Sequence, residues 1–269
     1  MSTGPLALHR HGPAEGLPLV LLHAFPVDSR MWDGVIAHLV DLPVITLDAP
    51  GFGDSPPPDD VAVALGRAPG PSLETYADAV AQTLRGVGVE RAVVAGLSMG
   101  GYAALALAER HRSLLAAIGL LDTKGEVDPE DARTGRLRVA EDAEHRGAEA
   151  VAGMVDVVLG ETTRTERPAV VERMRQWLSE APPVGIAWAQ RAMAARPARL
   201  TALENLEVPG LVLRGAQDAT ASQDSAEAMA RALTAGAELV VVPRAGHMSA
   251  VEDPPAVARA LRALHAAVS

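Results

Sequence analysis

The stretch Gly96-Leu97-Ser98-Met99-Gly100-Gly101 has the pattern Gly-x-Ser-x-Gly and separates two segments of different character. The run Arg91-Ala92-Val93-Val94-Ala95 before it is apolar after its first residue and predicts a buried strand. The segment 102–109 after it is rich in Ala and Leu and predicts a helix. The stretch therefore marks a turn at which a strand passes into a helix.

Ser98 is predicted to be a nucleophile at this turn. A sharp turn between strand and helix exposes a serine hydroxyl, and it brings the residues two before and two after so close that only glycine fits. Gly96 and Gly100 occupy those two positions. The first amides of the following helix favour negative charge beside the serine. An ordinary structural turn is the alternative, so the decision depends on the partner residues elsewhere in the chain.

The composition restricts the class of protein. With 269 residues, 48% of them hydrophobic and 22% charged, the chain is expected to form one globular domain with an insertion. A net charge of -10 without a dense basic cluster argues against a nucleic-acid partner. The absence of cysteine excludes disulfides, thiolate metal ligands and a cysteine nucleophile. No signal peptide or apolar span is recognisable, so we expect a cytoplasmic protein with no membrane partner. The oligomeric state is not predictable.

Apolar runs and amphipathic stretches alternate along the chain, which predicts a mainly parallel sheet flanked by helices. A helix carrying Met31, Trp32, Val35, Ile36 and Leu39 is expected after a cap at Asp28 or Ser29. Residues 56–71, with their many prolines, are expected to form a loop. The predicted strands lie at 6–10, 18–22, 43–47, 91–95, 115–121, 210–214 and 238–242, and the further core helices at 72–85, 102–109, 222–233 and 254–268.

The rhythm changes between 123 and 206, where helical stretches at 129–147, 148–159 and 168–178 follow one another without a convincing strand. We therefore expect a helical cap at 123–206, inserted into an α/β core formed by 1–122 and 207–269.

A serine nucleophile needs a base, and the base needs an acid that fixes its tautomer. Among the eight histidines, His247 is the best candidate because it follows the last predicted strand, and the carboxyl ends of parallel strands meet at one edge of a sheet. Asp218 follows the preceding strand and is the preferred acid. Asp122 remains the alternative acid. It ends the predicted strand that follows the helix after Ser98.

Acyl transfer also needs donors for an oxyanion. The backbone amide of Met99 is one candidate, because Met99 directly follows Ser98. The amide of Phe25, in the loop His23-Ala24-Phe25-Pro26 after the first buried strand, is the other. This chemistry requires no metal and no cofactor, and we expect neither.

Together these motifs resemble the α/β-hydrolase fold superfamily over nearly the whole chain. The motifs are His23-Ala24-Phe25-Pro26, Asp48-x-Pro50-Gly51-x-Gly53-x-Ser55, Gly96 to Gly101, Gly215-x-x-Asp218 and Gly246-His247. Two positions depart from the superfamily pattern: Ala24 replaces the usual glycine of the oxyanion loop, and Asp218 lacks the Thr-Pro or Val-Pro that often follows the acid.

The cap is loosely similar to that of enol-lactone hydrolases. Large apolar side chains of this cap are candidates to line a substrate pocket, with packing in the cap core as the alternative for those on helices, and His23, which ends a predicted strand outside the cap, is a further candidate. Arg191 and Arg196 are candidates to bind a substrate carboxylate. The pocket candidates are His23, Met154, Trp177 and Trp188.

The resemblance implies a cofactor-free serine hydrolase that cleaves a small carboxylic ester or lactone through an acyl-enzyme on Ser98. Related acyl transfer, perhydrolysis and carbon–carbon bond hydrolysis use the same residues and remain open. A different class also remains open, namely a ligand-sensing or regulatory binding protein in which the triad is slow or vestigial.

Overall fold

The computed structural model describes residues 4–269. Within that range the strands form a seven-stranded sheet in the order β1-β3-β2-β4-β5-β6-β7. β1 pairs antiparallel with β3, and all other neighbouring strands are parallel. This arrangement confirms the predicted mainly parallel sheet. The strands are β1 (Leu8–His11), β2 (Leu19–Leu22), β3 (Val44–Leu47), β4 (Ala92–Leu97), β5 (Leu115–Leu121), β6 (Gly210–Gly215) and β7 (Ala237–Val242).

The helices flank this sheet, and the central strands β2 to β6 are buried along their whole length. Such burial is expected for parallel strands, which crossover helices cover. The α-helices are α1 (Asp33–Ile36), α2 (Pro58–Ala64), α3 (Leu73–Gly86), α4 (Met99–Arg110), α5 (Glu130–Arg146), α6 (Val155–Val158), α7 (Glu161–Glu166), α8 (Pro168–Glu180), α9 (Pro183–Ala195), α10 (Leu200–Glu204), α11 (Gln223–Ala232), α12 (Ser249–Glu252) and α13 (Pro254–Ala266).

Two predictions for the first part of the chain were wrong. The expected loop at 56–71 contains α2, because Pro58 stands in the first turn, where its missing N–H costs nothing, and Asp59 and Asp60 favour the helix N-terminus. The single helix expected after Asp28 is divided into a 3₁₀ turn at Ser29–Trp32 and the short α1. Asp28 is its N-cap, since the carboxylate accepts the Arg30 amide at 3.0 Å.

Helices α5 to α10 follow one another between β5 and β6, and no described residue of that segment belongs to a strand. We refer to residues 123–206 as the helical insertion. Its second predicted helix, at 148–159, is instead a 3₁₀ helix at Gly147–Met154 followed by the short α6. Helices α7, α9 and α10 were not anticipated from the sequence.

The carboxyl ends of the parallel strands lie along one edge of the sheet, and each candidate side chain follows one of them. Ser98 follows β4, Asp122 follows β5, Asp218 lies in the turn after β6 and His247 in the loop after β7. Over residues 4–269, no helix has both the length and the apolar character needed to cross a bilayer.

Candidate active site

Ser98 joins β4 directly to α4 in a backbone conformation that non-glycine residues rarely adopt, with φ 54° and ψ -110°. The strained turn is held on both sides by hydrogen bonds. The Ser98 amide donates to the Leu121 carbonyl at 2.9 Å. The Ser98 carbonyl accepts the Thr123 hydroxyl at 2.9 Å. The end of β5 therefore fixes the direction in which the Ser98 side chain leaves the sheet.

The two glycines of the motif are required by close packing. A Cβ on Gly100 would collide with the Leu22 carbonyl oxygen, and a Cβ on Gly96 would lie 2.6 Å from the Gly101 nitrogen. Because these neighbours are backbone atoms, they cannot move aside as a flexible side chain can. The turn thus tolerates no larger residue at either position without displacement of β2 or α4.

Ser98, His247 and Asp218 form one continuous hydrogen-bonded chain. The Ser98 Oγ lies 2.8 Å from His247 Nε2, and His247 Nδ1 lies 2.9 Å from Asp218 Oδ2. An ionised carboxylate only accepts, so the proton resides on Nδ1 and Nε2 is free to accept from the serine hydroxyl. All three residues are at least nine-tenths buried. This arrangement allows the serine to lose its proton to the imidazole as it attacks a carbonyl.

Asp218 is oriented by the backbone of its own turn. Its Oδ1 accepts the Thr220 amide at 2.7 Å and the Ala221 amide at 3.1 Å. These two amides hold the carboxylate although the proline common after the acid in the superfamily is missing. Oδ2 is thereby left to face His247.

Asp122, the alternative acid, is directed elsewhere. Its Oδ1 accepts the Gly215 amide at 2.7 Å, and its Oδ2 is paired with the Ser249 hydroxyl. Burial and the nearby Asp218 carboxylate raise the pKa of Asp122 to about 8. Asp122 is therefore protonated at neutral pH. It has no hydrogen bond to His247, because Ser98 and Asp218 engage both ring nitrogens of that residue.

His247 itself has a pKa above its ordinary value. Burial acts to lower the pKa, but the hydrogen bond and charge of Asp218 and the charge of Glu252 oppose that effect, and the Asp122 carboxyl adds to them only where it is ionised. The net result favours the imidazolium, which is the form that His247 takes after accepting the serine proton.

The amides of Phe25 and Met99 are the two predicted oxyanion donors. Neither amide donates to a protein acceptor within residues 4–269. Met99 is the first residue of α4, where helix geometry leaves the N–H without an intrahelical partner. The loop that carries Phe25 is shaped by Ala24, whose carbonyl accepts the Val27 amide at 3.2 Å. Both amides are thus without a protein acceptor among the described residues.

His23, predicted to line the pocket, is completely buried and engages the backbone with both ring nitrogens. Its Nδ1 donates to the Ala24 carbonyl at 2.9 Å, and its Nε2 accepts the Ala49 amide at 2.8 Å. Its ring also stands at 5.7 Å from the Phe52 ring, edge to face. His23 therefore connects the Phe25 loop to the turn after β3.

Two of the other pocket candidates line clefts that do not include Ser98. Trp177 lines a cleft of about 290 Å³, and the lining of that cleft includes neither Ser98 nor His247. Trp188 lines an apolar cleft of about 440 Å³ that likewise excludes them, and its indole donates to the Gly70 carbonyl at 3.3 Å. Met154 packs, half-buried, against the hydrophobic core. Large apolar side chains on these helices cover neighbouring helices and loops.

Neither candidate arginine is unpaired. Arg191 binds the exposed Glu144 at 2.6 Å. Arg196 is buried and binds Asp128 at 2.6 Å, with its guanidinium 4.1 Å from the centre of the Tyr102 ring. Both cations are already compensated by carboxylates of the helical insertion.

One group of potential metal ligands lies away from the serine, where His9, Asp48 and Asp54 place one ligand atom each within 4.8 Å of the others. The Asp48 carboxylate already accepts the Ser29 amide at 2.9 Å and the Asp54 amide at 3.0 Å. These bonds make Asp48 the anchor of the turn after β3.

Sequence reasoning missed three side chains around the catalytic candidates, namely Gln217, Ser249 and Glu252. Ser249 pairs with Asp122, and Glu252 binds the loop of His247. Their positions beside Asp218 and His247 were visible in the sequence, but polar residues at such positions occur in many loops. Only the contacts distinguish them.

A family model described as the alpha/beta hydrolase family matches residues 19–260. The chain belongs to the alpha/beta hydrolase family. This membership confirms the resemblance drawn from the sequence motifs, and it agrees with the observed sheet order and with the position of Ser98 between β4 and α4.

Individual known proteins are similar to this chain over nearly the full length. The solved structure of a thermophilic esterase from Thermogutta terrifontis, with malate bound, has a TM-score of 0.89 at 36% identity and covers 98% of this chain and 94% of that chain. The 2-succinyl-6-hydroxy-2,4-cyclohexadiene-1-carboxylate synthase of Enterobacter sp. (strain 638) is 31% identical over 91% of each chain. The 3-oxoadipate enol-lactonase 1 of Acinetobacter baylyi is 24% identical over 93% of this chain and 88% of its own.

Proposed function

We propose that this alpha/beta hydrolase cleaves a small carboxylic ester or lactone through an acyl-enzyme on Ser98. The observation that carries the proposal is the hydrogen-bonded chain from Ser98 Oγ through His247 to Asp218, with distances of 2.8 and 2.9 Å. The similarity to an esterase at 36% identity and to an enol-lactonase supports the substrate class.

In the proposed reaction, His247 Nε2 takes the proton of Ser98 as Oγ attacks the substrate carbonyl carbon. Asp218 holds the imidazolium that results. The oxyanion of the tetrahedral intermediate accepts hydrogen bonds from the amides of Phe25 and Met99, at the positive end of α4. His247 then gives its proton to the departing alkoxide, and the ester bond breaks.

Deacylation repeats the same steps with water. His247 accepts a proton from a water molecule that attacks the acyl carbonyl, and it returns that proton to Ser98 Oγ as the carboxylic acid leaves. In a lactone the alcohol and acid parts stay joined, so the product is a hydroxy acid. No step of this cycle draws on a metal or an organic cofactor.

The test is turnover of a series of short-chain esters and ring-size-graded lactones by the wild type and by Ser98→Ala. We expect the substitution to lower kcat by about 10⁴ to 10⁶-fold, because it removes the nucleophile. Labelling of the wild type by a fluorophosphonate, and its loss in Ser98→Ala, measures the nucleophile independently of substrate. Retention of most esterase activity by Ser98→Ala would refute the assignment.

Two other outcomes correspond to the alternatives. Rapid labelling of Ser98 without turnover of any ester or lactone would favour a binding or sensing role, especially if one compound changed the conformation. Rapid labelling without turnover of esters or lactones is also the result expected if the same residues catalyse another reaction, such as acyl transfer, perhydrolysis or carbon–carbon bond hydrolysis. The synthase relative at 31% identity is the reason to test such reactions.

A further inference from the structure

Glu252 is a buried acidic residue to which the reaction scheme gives no role. It ends α12, on the segment that follows His247, and only 4% of its surface is exposed. A carboxylate in such surroundings is costly unless donors compensate its charge. Its hydrogen bonds therefore indicate what it holds in place.

The donors to Glu252 are backbone amides from two different parts of the fold. Oε1 accepts the amides of Gly246 at 2.9 Å and Met248 at 3.2 Å, the two residues that flank His247. Oε2 accepts the amide of Gly160, in the helical insertion, at 2.9 Å. One carboxylate thus joins the loop of His247 to the insertion.

Further contacts between the same two segments reinforce this connection. The His247 amide donates to the Val158 carbonyl at 3.0 Å. Gly160 packs so closely on the loop that a Cβ there would lie 2.7 Å from the Gly246 nitrogen. The backbone on both sides of the imidazole is consequently held by residues of the insertion.

The turn of the acid is connected to the same segment. The Gln217 side chain, next to Asp218, accepts the Thr162 amide at 2.9 Å and donates to the Thr162 hydroxyl at 2.8 Å. Segment 158–162 therefore contacts the residues adjacent to both the base and the acid.

We infer that Glu252 is the positioning residue of His247, holding the base in line with Ser98 by clamping its loop to segment 158–162 of the helical insertion. This inference rests on the proposed function. Neither Glu252 nor the segment touches the reacting atoms. Their effect is on the geometry of the proton transfer, where a displacement of about 1 Å is sufficient to cost about 100-fold in rate.

Glu252 also acts on His247 through its charge. Burial lowers the pKa of His247, whereas the charges of Asp218 on the β6 turn and of Glu252 on α12 raise it, and Asp122 at the end of β5 joins them only where it is ionised. Neutralising Glu252 removes one of the raising charges. The imidazole is then neutral, and able to act as base, at a lower pH.

The first test is Glu252→Gln. A glutamine side chain has nearly the same shape, but its amide group must point N–H donors at either Gly160 or the amides of Gly246 and Met248. We expect kcat to fall by about 10- to 100-fold with KM changed by less than about 2-fold, because the geometry of the base changes and the substrate contacts do not. The acid limb of the pH profile of kcat/KM should move to lower pH. Glu172→Gln is the matched control, since Glu172 is 77% exposed on α8.

The second test disturbs the close packing of Gly160 on the two loops without altering a charge. Gly160→Ala places a methyl group 2.6 Å from Gln217 Oε1 and 2.7 Å from the Gly246 nitrogen, although the φ of -65° suits alanine. We expect a similar loss of kcat because the segment is pushed away from both loops. Gly153→Ala, in the same insertion with no atom within 4 Å of the added methyl, should keep wild-type kinetics.

A readout independent of turnover separates this inference from the proposed function. The proton on His247 Nδ1 gives a downfield ¹H NMR signal, assigned by its loss in His247→Gln. We expect the signal in Glu252→Gln to shift or to broaden through faster exchange with water, and to stay unchanged in Glu172→Gln. If wild-type Ser98 proves inert towards every ester, lactone and fluorophosphonate, the proposed function fails while this signal still tests the clamp.

Two results would overturn the inference. One is wild-type kcat and an unchanged Nδ1 signal in Glu252→Gln. The other is a lowered melting temperature with kcat, acid limb and Nδ1 signal all unchanged, because Glu252 would then contribute only to folding stability.

Discussion

At the scale of single residues, the fold gives two neighbouring aspartates opposite tasks. Asp218 accepts two backbone amides and the His247 ring, which are the contacts of an ionised carboxylate. Asp122 has one backbone amide and the Ser249 hydroxyl, and burial raises its pKa to about 8. The same side chain is therefore a hydrogen-bond acceptor for the base in one place and a neutral structural group in the other.

The raised pKa of Asp122 predicts a pH-dependent cost to stability. The folded state binds the Asp122 proton more tightly than the unfolded state does, and this difference stabilises the folded protein. The stabilisation is complete below the unfolded carboxyl pKa of about 4, and it is lost as the pH rises through about 8. Asp122→Asn keeps a neutral group of the same shape. We expect the melting temperature of Asp122→Asn minus that of the wild type to increase from pH 5 to pH 8 and to level off above pH 8.

The measurement is thermal unfolding of both proteins between pH 5 and pH 9. Asp224→Asn is the control, because Asp224 is exposed on α11 and its difference from wild type should stay constant over that range. A constant difference for Asp122→Asn as well would contradict the prediction.

At the scale of elements, the turn from β4 into α4 depends on contact with β2. Gly100 lies against the carbonyl oxygen of Leu22. Leu22 is the last residue of β2 and precedes the loop of Phe25. Both oxyanion candidates are therefore positioned by one close approach of backbone to backbone. Glycine is needed here for space, since Gly100 is within a regular helix.

Gly100→Ala is predicted to destabilise the protein although alanine is the better helix former. The added methyl group collides with the backbone of β2, and overpacking of this kind costs about 1–3 kcal/mol. Urea denaturation measures the change in the free energy of unfolding. The control is Gly135→Ala in α5, where the methyl meets nothing within 4 Å and a gain of up to about 1 kcal/mol is expected.

A Gly100→Ala variant as stable as Gly135→Ala would show that β2 yields at this point. The same pair of variants also tests the oxyanion assignment, because displacement of α4 from the Phe25 loop should lower kcat in Gly100→Ala only.

At the scale of the whole molecule, a buried charged cluster connects the helical insertion to the core. Asp128 and Arg196 are both almost completely buried, with side-chain exposures of 1% and 2%. Arg136 and Lys124 bind the same carboxylate at 2.6 and 2.8 Å. Because Arg196 also lies over the Tyr102 ring of α4, the cluster joins the insertion to the helix that starts beside Ser98.

Asp128→Asn is predicted to be strongly destabilising. It leaves Arg196 buried without a compensating charge, and removal of one partner from a buried ion pair costs about 3–5 kcal/mol. The free energy of unfolding from urea denaturation gives the value. Glu130→Gln is the control, because Glu130 is 82% exposed and its pair with Arg133 should contribute less than about 1 kcal/mol. A cost for Asp128→Asn as small as that of the control would mean that water reaches the cluster.

Packing across the whole molecule also explains which strands and helices were predictable from the sequence. Apolar runs identified the buried strands β2 to β6, because strands covered on both faces must be apolar along their length, and the partly exposed edge strands β1 and β7 were predicted as well. The helices of the insertion were less predictable, and α7, α9 and α10 were missed. Helices α7 and α10 are too short to show a clear period, and α9, although 13 residues long, is buried on most of its surface and so has no distinct apolar face.

The sequence by itself determined the α/β class and the identities of Ser98 and His247 as candidates, because a glycine-flanked serine between strand and helix and a histidine after the last strand are local patterns. It left Asp218 and Asp122 as alternatives, and it assigned no role to Glu252. Only the tertiary structure placed Asp218, and not Asp122, against His247 and joined Glu252 to Gly160 across the chain. Hydrogen-bond direction and burial depend on residues distant in sequence, and no local pattern encodes them.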